Sequence, residues 1–160
     1  MSDEVRRSFL LQATPDLIWI YERRLTVAFW DLGAGWTLRV QQHHTGPGPA
    51  AQLSVQADGD AEGALTVPWI PAVPPDPGPE GTLEALLRSN PARSLEKVRR
   101  GCMVSGVWWE LDEYDGRHSG LVVAHTSAGP LADDRLGVPG WVGREVTGDR
   151  AYDDRRLADS

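Results

Sequence analysis

Polar and apolar positions alternate along much of this chain, most clearly in Val107–Tyr114 and again over residues 121–127. The first run is aromatic and β-branched, and the second is rich in Val and Thr. Asp115-Gly116 between them is a strong turn signal, with a loop running on to Gly120, so the stretch 106–128 predicts a β-hairpin. Side chains alternate across a strand. Trp109 and Leu111 therefore fall on one face, and Trp108, Glu110 and Asp112 on the other. The second face is either a solvated outer surface or, if it lines a cavity, the start of a cation or phosphoryl-transfer site.

The same pattern predicts further strands over residues 4–11, 17–29 (one or two strands), 36–42, 52–57, 65–70 and 94–104. In the first, Arg7 and Phe9 share a face, and Glu4, Arg6 and Ser8 the other. In the third, Arg39 and Gln41 oppose Leu38 and Val40. Lys97 and Arg99 share a face of the last. Pro68 makes its strand an edge or a bulge. Residues 71–81 hold five prolines and read as a surface connection too short to divide domains. Residues 82–89 predict a helix, with Thr82 as N-cap and Leu83, Leu86 and Leu87 as its stripe. Residues 144–156 are polar, with helical character, and Trp141 before them is an expected anchor. Many strands with mixed polarity on both faces suit a closed or nearly closed antiparallel sheet with a polar interior.

Composition narrows this picture. A length of 160 residues fits a single domain, 1–160. A net charge of −7 argues against a nucleic-acid or membrane-surface binder, while leaving room for a basic interior. No apolar run nears the roughly 18 residues that span a bilayer, and the first residues lack a signal-peptide layout. The expected compartment is the cytoplasm. Cys102 is the single cysteine, so it forms no internal disulfide; it is expected to be buried and inert. His43-His44 and the pairs Asp133-Asp134 and Asp153-Asp154 read as exposed or capping charges. Seven tryptophans point to a β-rich core or a binding face.

Four segments carry a family resemblance. Leu95 to Gly116 is similar to a Lys-x-Arg motif followed by Trp-Glu-x-Asp. Gly120 to Ala128 is similar to Gly-Leu-x-x-Ala-Glu-x-Glu. Pro139 to Ala158 (PGWVGREVTGDRAYDDRRLA) is close to Pro-x-Trp-Leu-Gly-x-Glu-Val-Thr-x-Asp with Tyr-x-Asn and Leu-Ala after it. Glu4 to Leu11 resembles an opening Glu-x-Glu-x-Lys-Phe-Leu. These motifs resemble the CYTH family, the triphosphate tunnel metalloenzymes. The resemblance implies a β-rich α+β fold, an eight-stranded antiparallel tunnel barrel with a few flanking helices. It further implies Lys and Arg that hold a triphosphate, and carboxylates that hold Mg²⁺ or Mn²⁺. Family members hydrolyse inorganic or organic triphosphates, and some make cyclic AMP. The chemistry is coherent: Arg meets phosphate as a fork and Lys as a point charge, while hard cations take oxygen ligands.

Carried over by position, Arg39, Lys97, Arg99 and Arg6 are the implied phosphate ligands. Glu4, Glu110, Asp112 and Glu145 are the implied metal ligands, and Glu4, Asp112 and His125 the catalytic candidates. The chain departs from the pattern at Arg6, Ser8, Gln41, Gln56, His125, Ser127 and Asp154, and Glu62 is a remnant of a further acidic motif. Losing carboxylates weakens a magnesium site, and His125 suits Mn²⁺ or Zn²⁺ better than Mg²⁺. Three functions follow. The first is a degenerate tunnel that binds a polyphosphate or phosphorylated ligand with weak or no turnover. The second is an active metal-dependent triphosphatase with rebuilt ligands. The third is a non-catalytic interaction module. A homodimer is common in families of this kind.

Overall fold

The structure, a computed structural model, describes residues 6–44, 51–57, 65–69, 93–126 and 138–160. Glu4, Glu62, Ser127, Asp133-Asp134, the proline-rich stretch and the expected helix over 82–89 lie outside the described residues.

The strands are β1 (Arg7–Leu11), β2 (Tyr21–Gly33), β3 (Trp36–His43), β4 (Ala51–Ala57), β5 (Leu65–Trp69), β6 (Arg93–Val104), β7 (Val107–Tyr114) and β8 (Val122–Thr126). They form one sheet in the order β1-β8-β7-β6-β2-β3-β4-β5, antiparallel at every ladder. The long β6–β7 hairpin turns on Ser105 and Gly106, both at positive φ (51° and 79°). That is the twist-matched geometry of a two-residue hairpin loop. Ala34 and Gly35 turn β2 into β3 in the same way, at φ 51° and 78°.

The closed or nearly closed barrel needs correction: the sheet is open. β1 and β5 are its edges, and no ladder joins them among the described residues. The free edge of β1 is already taken. Gly143 N donates to Leu10 O (2.9 Å), Leu10 N to Arg144 O (2.8 Å) and Val146 N to Ser8 O (2.8 Å), with a bridge between Phe9 and Glu145. A closing strand would need those same backbone groups.

The two faces of the sheet differ. One face buries Phe9, Leu11, Cys102, Trp109, Leu111, Val122 and Ala124, covered by Leu17, Trp19 and Trp141. Trp141 stands edge-on to Trp109, with ring centroids 5.2 Å apart, so it is the anchor its sequence context suggested. Cys102 is buried there and unpaired. The other face is mixed. It buries Val27, Phe29, Leu95, Tyr114 and Val123 against Leu157 and Ala158 of a short helix, α1 (Asp154–Asp159). The β7–β8 loop holds the end of this helix, through Arg117 on the Ala158 carbonyl and His118 Nε2 2.6 Å from the Leu157 carbonyl oxygen. N–H donors at a helix C-terminus satisfy carbonyls that have no partner within the helix. No helix among the described residues is long and apolar enough to cross a membrane.

Candidate functional site

Strand register assembles the site. Lys97 lies opposite Tyr114, Arg99 opposite Asp112, and Glu110 opposite both Gly101 and His125. Arg23 pairs with Arg99, Leu25 with both Lys97 and His43, and Phe29 with Arg39. Ser8 pairs with His125. Residues directly opposite across a ladder share a face, so all of these project from the mixed face. The alternation in the sequence had placed Glu110 with Asp112, Lys97 with Arg99, and Arg39 with Gln41, and the register keeps each pair together.

At its centre Lys97 and Asp112 are each 1% exposed. Lys97 Nζ donates to Asp112 Oδ2 (2.8 Å) and to Asp154 Oδ1 and Oδ2 (2.7 and 2.8 Å). Arg99 grips Asp112 with two bonds, 2.7 and 2.8 Å. Arg39 donates to Asp154 Oδ2 (3.0 Å) and Gln41 Oε1 (2.9 Å), and Tyr114 Oη donates to Asp154 Oδ1 (2.8 Å). Burial alone would raise both aspartate pKa values. The Lys97 and Arg99 charges outweigh it at Asp112, and the Lys97 and Arg39 charges at Asp154, so both carboxyls lie well below their ordinary range. Burial and the neighbouring Asp154 carboxylate push the Tyr114 hydroxyl up, which keeps it a donor.

Beside this centre, His125 Nε2 lies 3.4 Å from Asp112 Oδ2, and Ser8 Oγ 2.9 Å from His125 Nδ1. Burial lowers the His125 pKa, so the ring is neutral near pH 7. The ionised Asp112 accepts the Nε2 proton, which leaves Nδ1 to accept from the Ser8 hydroxyl. Arg6 and Glu110 lie at the rim, 3.5 Å apart. With Trp108 and His125 they line a cavity of about 230 Å³.

A second group was less legible. Arg23 Nε and His43 Nδ1 are buried without a hydrogen-bond partner among the described residues. His43 instead meets Gln41 across 3.1 Å through its other nitrogen. This corrects the reading of His43 as exposed; only His44 is. Burial and the nearby Arg23, Arg99 and Arg39 charges lower the His43 pKa.

Among the described residues, Glu110 and Asp112 share a face, but the implied metal ligands do not converge on one point. Both Asp112 oxygens are engaged by Lys97 and Arg99. Glu145 bonds Arg7 at 2.9 and 2.7 Å. It bridges to Phe9, whose ring lies in the apolar core of the other face. No three His, Cys, Asp or Glu side chains among the described residues are placed to hold a metal ion. The described part of the set therefore does not fit Mg²⁺ or Mn²⁺, and Glu4 is outside it. Asp154, read from sequence as a solvated or capping charge, is the largest correction: it is a central member of the cluster. Its position where the resembled motif carries Asn was the available signal.

No family model matches the chain. An inorganic triphosphatase of Acetivibrio thermocellus is 41% identical over 58 residues, a match that spans 36% of this chain and 36% of that protein. Two crystal structures of NE1496, one described as a hypothetical protein and one as an inorganic triphosphatase, are similar with a TM-score of 0.71 at 22% identity. They cover 98% of this chain and 97% and 94% of their own. The chain shares the fold of these two structures, an antiparallel β-rich architecture.

Proposed function

We propose that the mixed face binds a polyphosphate or phosphorylated anion with little or no turnover. The observation that carries this reading is the placement of Arg39, Lys97 and Arg99 on one face of the sheet, with Arg23 and Arg6 beside them. Phosphate binding by such a set follows from fork-like Arg donors and a point-charge Lys. The triphosphatase likeness in fold supports the same ligand class. Low turnover is supported by the engagement of Asp112 in ion pairs and the turn of Glu145 toward Arg7.

Tripolyphosphate titration by calorimetry, with and without Mg²⁺ or Mn²⁺ and alongside phosphate release, tests it. The expected result is binding that Arg39→Ala weakens, with release far below the roughly 1–10³ s⁻¹ usual for enzymes. Metal-dependent release within that range, abolished by Asp112→Ala, would overturn the low-turnover part. Absence of binding would overturn the whole reading.

A further inference from the structure

Ser8, His125 and Asp112 stand on three neighbouring strands of the sheet, β1, β8 and β7. The register sets Ser8 directly opposite His125, and Asp112 diagonally across the next ladder from it. Ser8 Oγ donates to His125 Nδ1 at 2.9 Å, and His125 Nε2 lies 3.4 Å from Asp112 Oδ2. Each ring nitrogen has one role: Nδ1 accepts from the hydroxyl, and Nε2 carries its proton toward the carboxylate. The Ser8 backbone is held on both sides. Its N–H donates to Thr147 Oγ1 (3.0 Å), and its carbonyl accepts from Val146 N (2.8 Å). Asp112 is held in turn by Lys97 and by two bonds from Arg99. Ser8 is half-buried rather than sealed, and His125 borders a cavity of about 230 Å³ that Arg6, Trp108 and Glu110 also line. A hydroxyl, a base within hydrogen-bond reach of it and a third group that orients the base are the parts of an activated nucleophile.

We infer that Ser8 is a nucleophile toward small carboxylic esters, with His125 as its general base and Asp112 as the positioning residue that orients the ring. A lone pair of Ser8 Oγ forms the bond to the ester carbonyl carbon, and the C=O π pair moves onto the carbonyl oxygen. The Ser8 proton passes to His125 Nδ1, and the ionised Asp112 stabilises the imidazolium. Arg6 lies two residues from Ser8 on the same strand face, a span of about 6.5 Å, and supplies the positive charge for the oxyanion. The bond to the alcohol oxygen then breaks with its electron pair. The leaving oxygen takes the proton from Nδ1, and an acyl ester remains on Ser8. Water attacks that ester, giving its proton to Nδ1. The carboxylic acid leaves, and the proton returns to Ser8 Oγ. The acyl group is small, because the cavity of about 230 Å³ is below the roughly 300–1,000 Å³ of sites for whole small molecules. This activity is separate from polyphosphate binding, and neither depends on the other.

The full chain, treated with a fluorophosphonate (from which a nucleophilic serine displaces fluoride) and separately with p-nitrophenyl acetate, tests it. The expected results are an adduct on Ser8 by tandem mass spectrometry and a burst of nitrophenolate of about one equivalent per chain, as acyl-enzyme accumulation gives. Ser8→Ala, which removes only the hydroxyl, is expected to lose both. His125→Gln is expected to slow adduct formation roughly a hundredfold or more, as loss of a general base does. Asp112→Asn is expected to keep KM for the ester while kcat falls, because the amide no longer selects the productive tautomer. Ser8→Ala and His125→Gln leave Asp112 and its ion pairs in place, so they decide the matter even where Asp112→Asn fails to fold. The absence of an adduct on Ser8 overturns the inference. Ester hydrolysis at the same rate in Ser8→Ala overturns it too, as the mark of nonspecific attack by surface groups. Either outcome leaves the tripolyphosphate titration above untouched.

Discussion

Lys97 Nζ lies 2.7 and 2.8 Å from the two carboxylate oxygens of Asp154, a residue 57 positions away at the start of α1. The basic centre of the mixed face is thus matched by a carboxylate that the chain itself supplies. An anionic ligand has to compete with it for Lys97 and Arg39.

Asp154→Asn keeps the side-chain shape and an acceptor for Tyr114 while removing the charge. Tripolyphosphate affinity is expected to rise severalfold, because a competing anion is gone. Stability is expected to fall by about 1–3 kcal/mol as Lys97 loses half of its ionic pairing. Calorimetry and urea unfolding of the same variant check both. Unchanged affinity would mean that α1 does not compete with the ligand.

Lys97→Met leaves Asp112 and Asp154 buried with only the arginines between them. Removing one partner of a buried ion pair costs roughly 3–5 kcal/mol. This variant is therefore expected to be less stable than Asp154→Asn, and to bind tripolyphosphate at least tenfold more weakly. A loss below that of Asp154→Asn in urea unfolding would show that Arg39 and Arg99 suffice.

Gly101→Ala places a methyl group against the rings of Tyr21 and Trp108. Overpacking of this kind costs about 1–3 kcal/mol. The near-ultraviolet circular dichroism of the aromatic pair is expected to change along with the melting temperature. An unchanged spectrum would mean that the rings move aside freely.

His43 and His125 both have pKa values lowered by burial from the ordinary 6.5. Each is neutral in the fold and protonates more readily unfolded. Its contribution is present above pH 6.5 and is lost as the pH falls through the lower folded value. The melting temperature is expected to decline from pH 6.5 downward, and His43→Gln to flatten that slope. The low-lying carboxyls of Asp112 and Asp154 follow the same sign, with their contribution lost below their ordinary 3.8. A second fall in melting temperature is expected there.

Strand periodicity made most of the sheet legible. The β7 bounds were readable to the residue, and the pairing of Glu110 with Asp112 and of Lys97 with Arg99 needed only alternation. Asp154 was not legible in the same way. A charged residue in a short polar segment carries no periodicity of its own, and its partners lie on strands that are distant in sequence. Tyr114 shares the parity of Asp112, but nothing local states that its hydroxyl meets a helix. His43 read as exposed together with His44, and only the register that sets it opposite Leu25 and beside Gln41 shows its partial burial.

The sequence by itself determined which residues face together along each strand, because side-chain direction in a strand is a local property of period two. It marked the turn after β7 at Asp115-Gly116, where Gly116 adopts positive φ (64°) at low cost. Only the tertiary structure decided that the sheet stays open, because residues 143–146 satisfy the edge of β1. Only it decided that α1 delivers Asp154 to Lys97 and that Glu145 turns to Arg7. Those outcomes depend on which distant charges and backbone groups meet, and pairing between distant segments is not encoded in any local pattern.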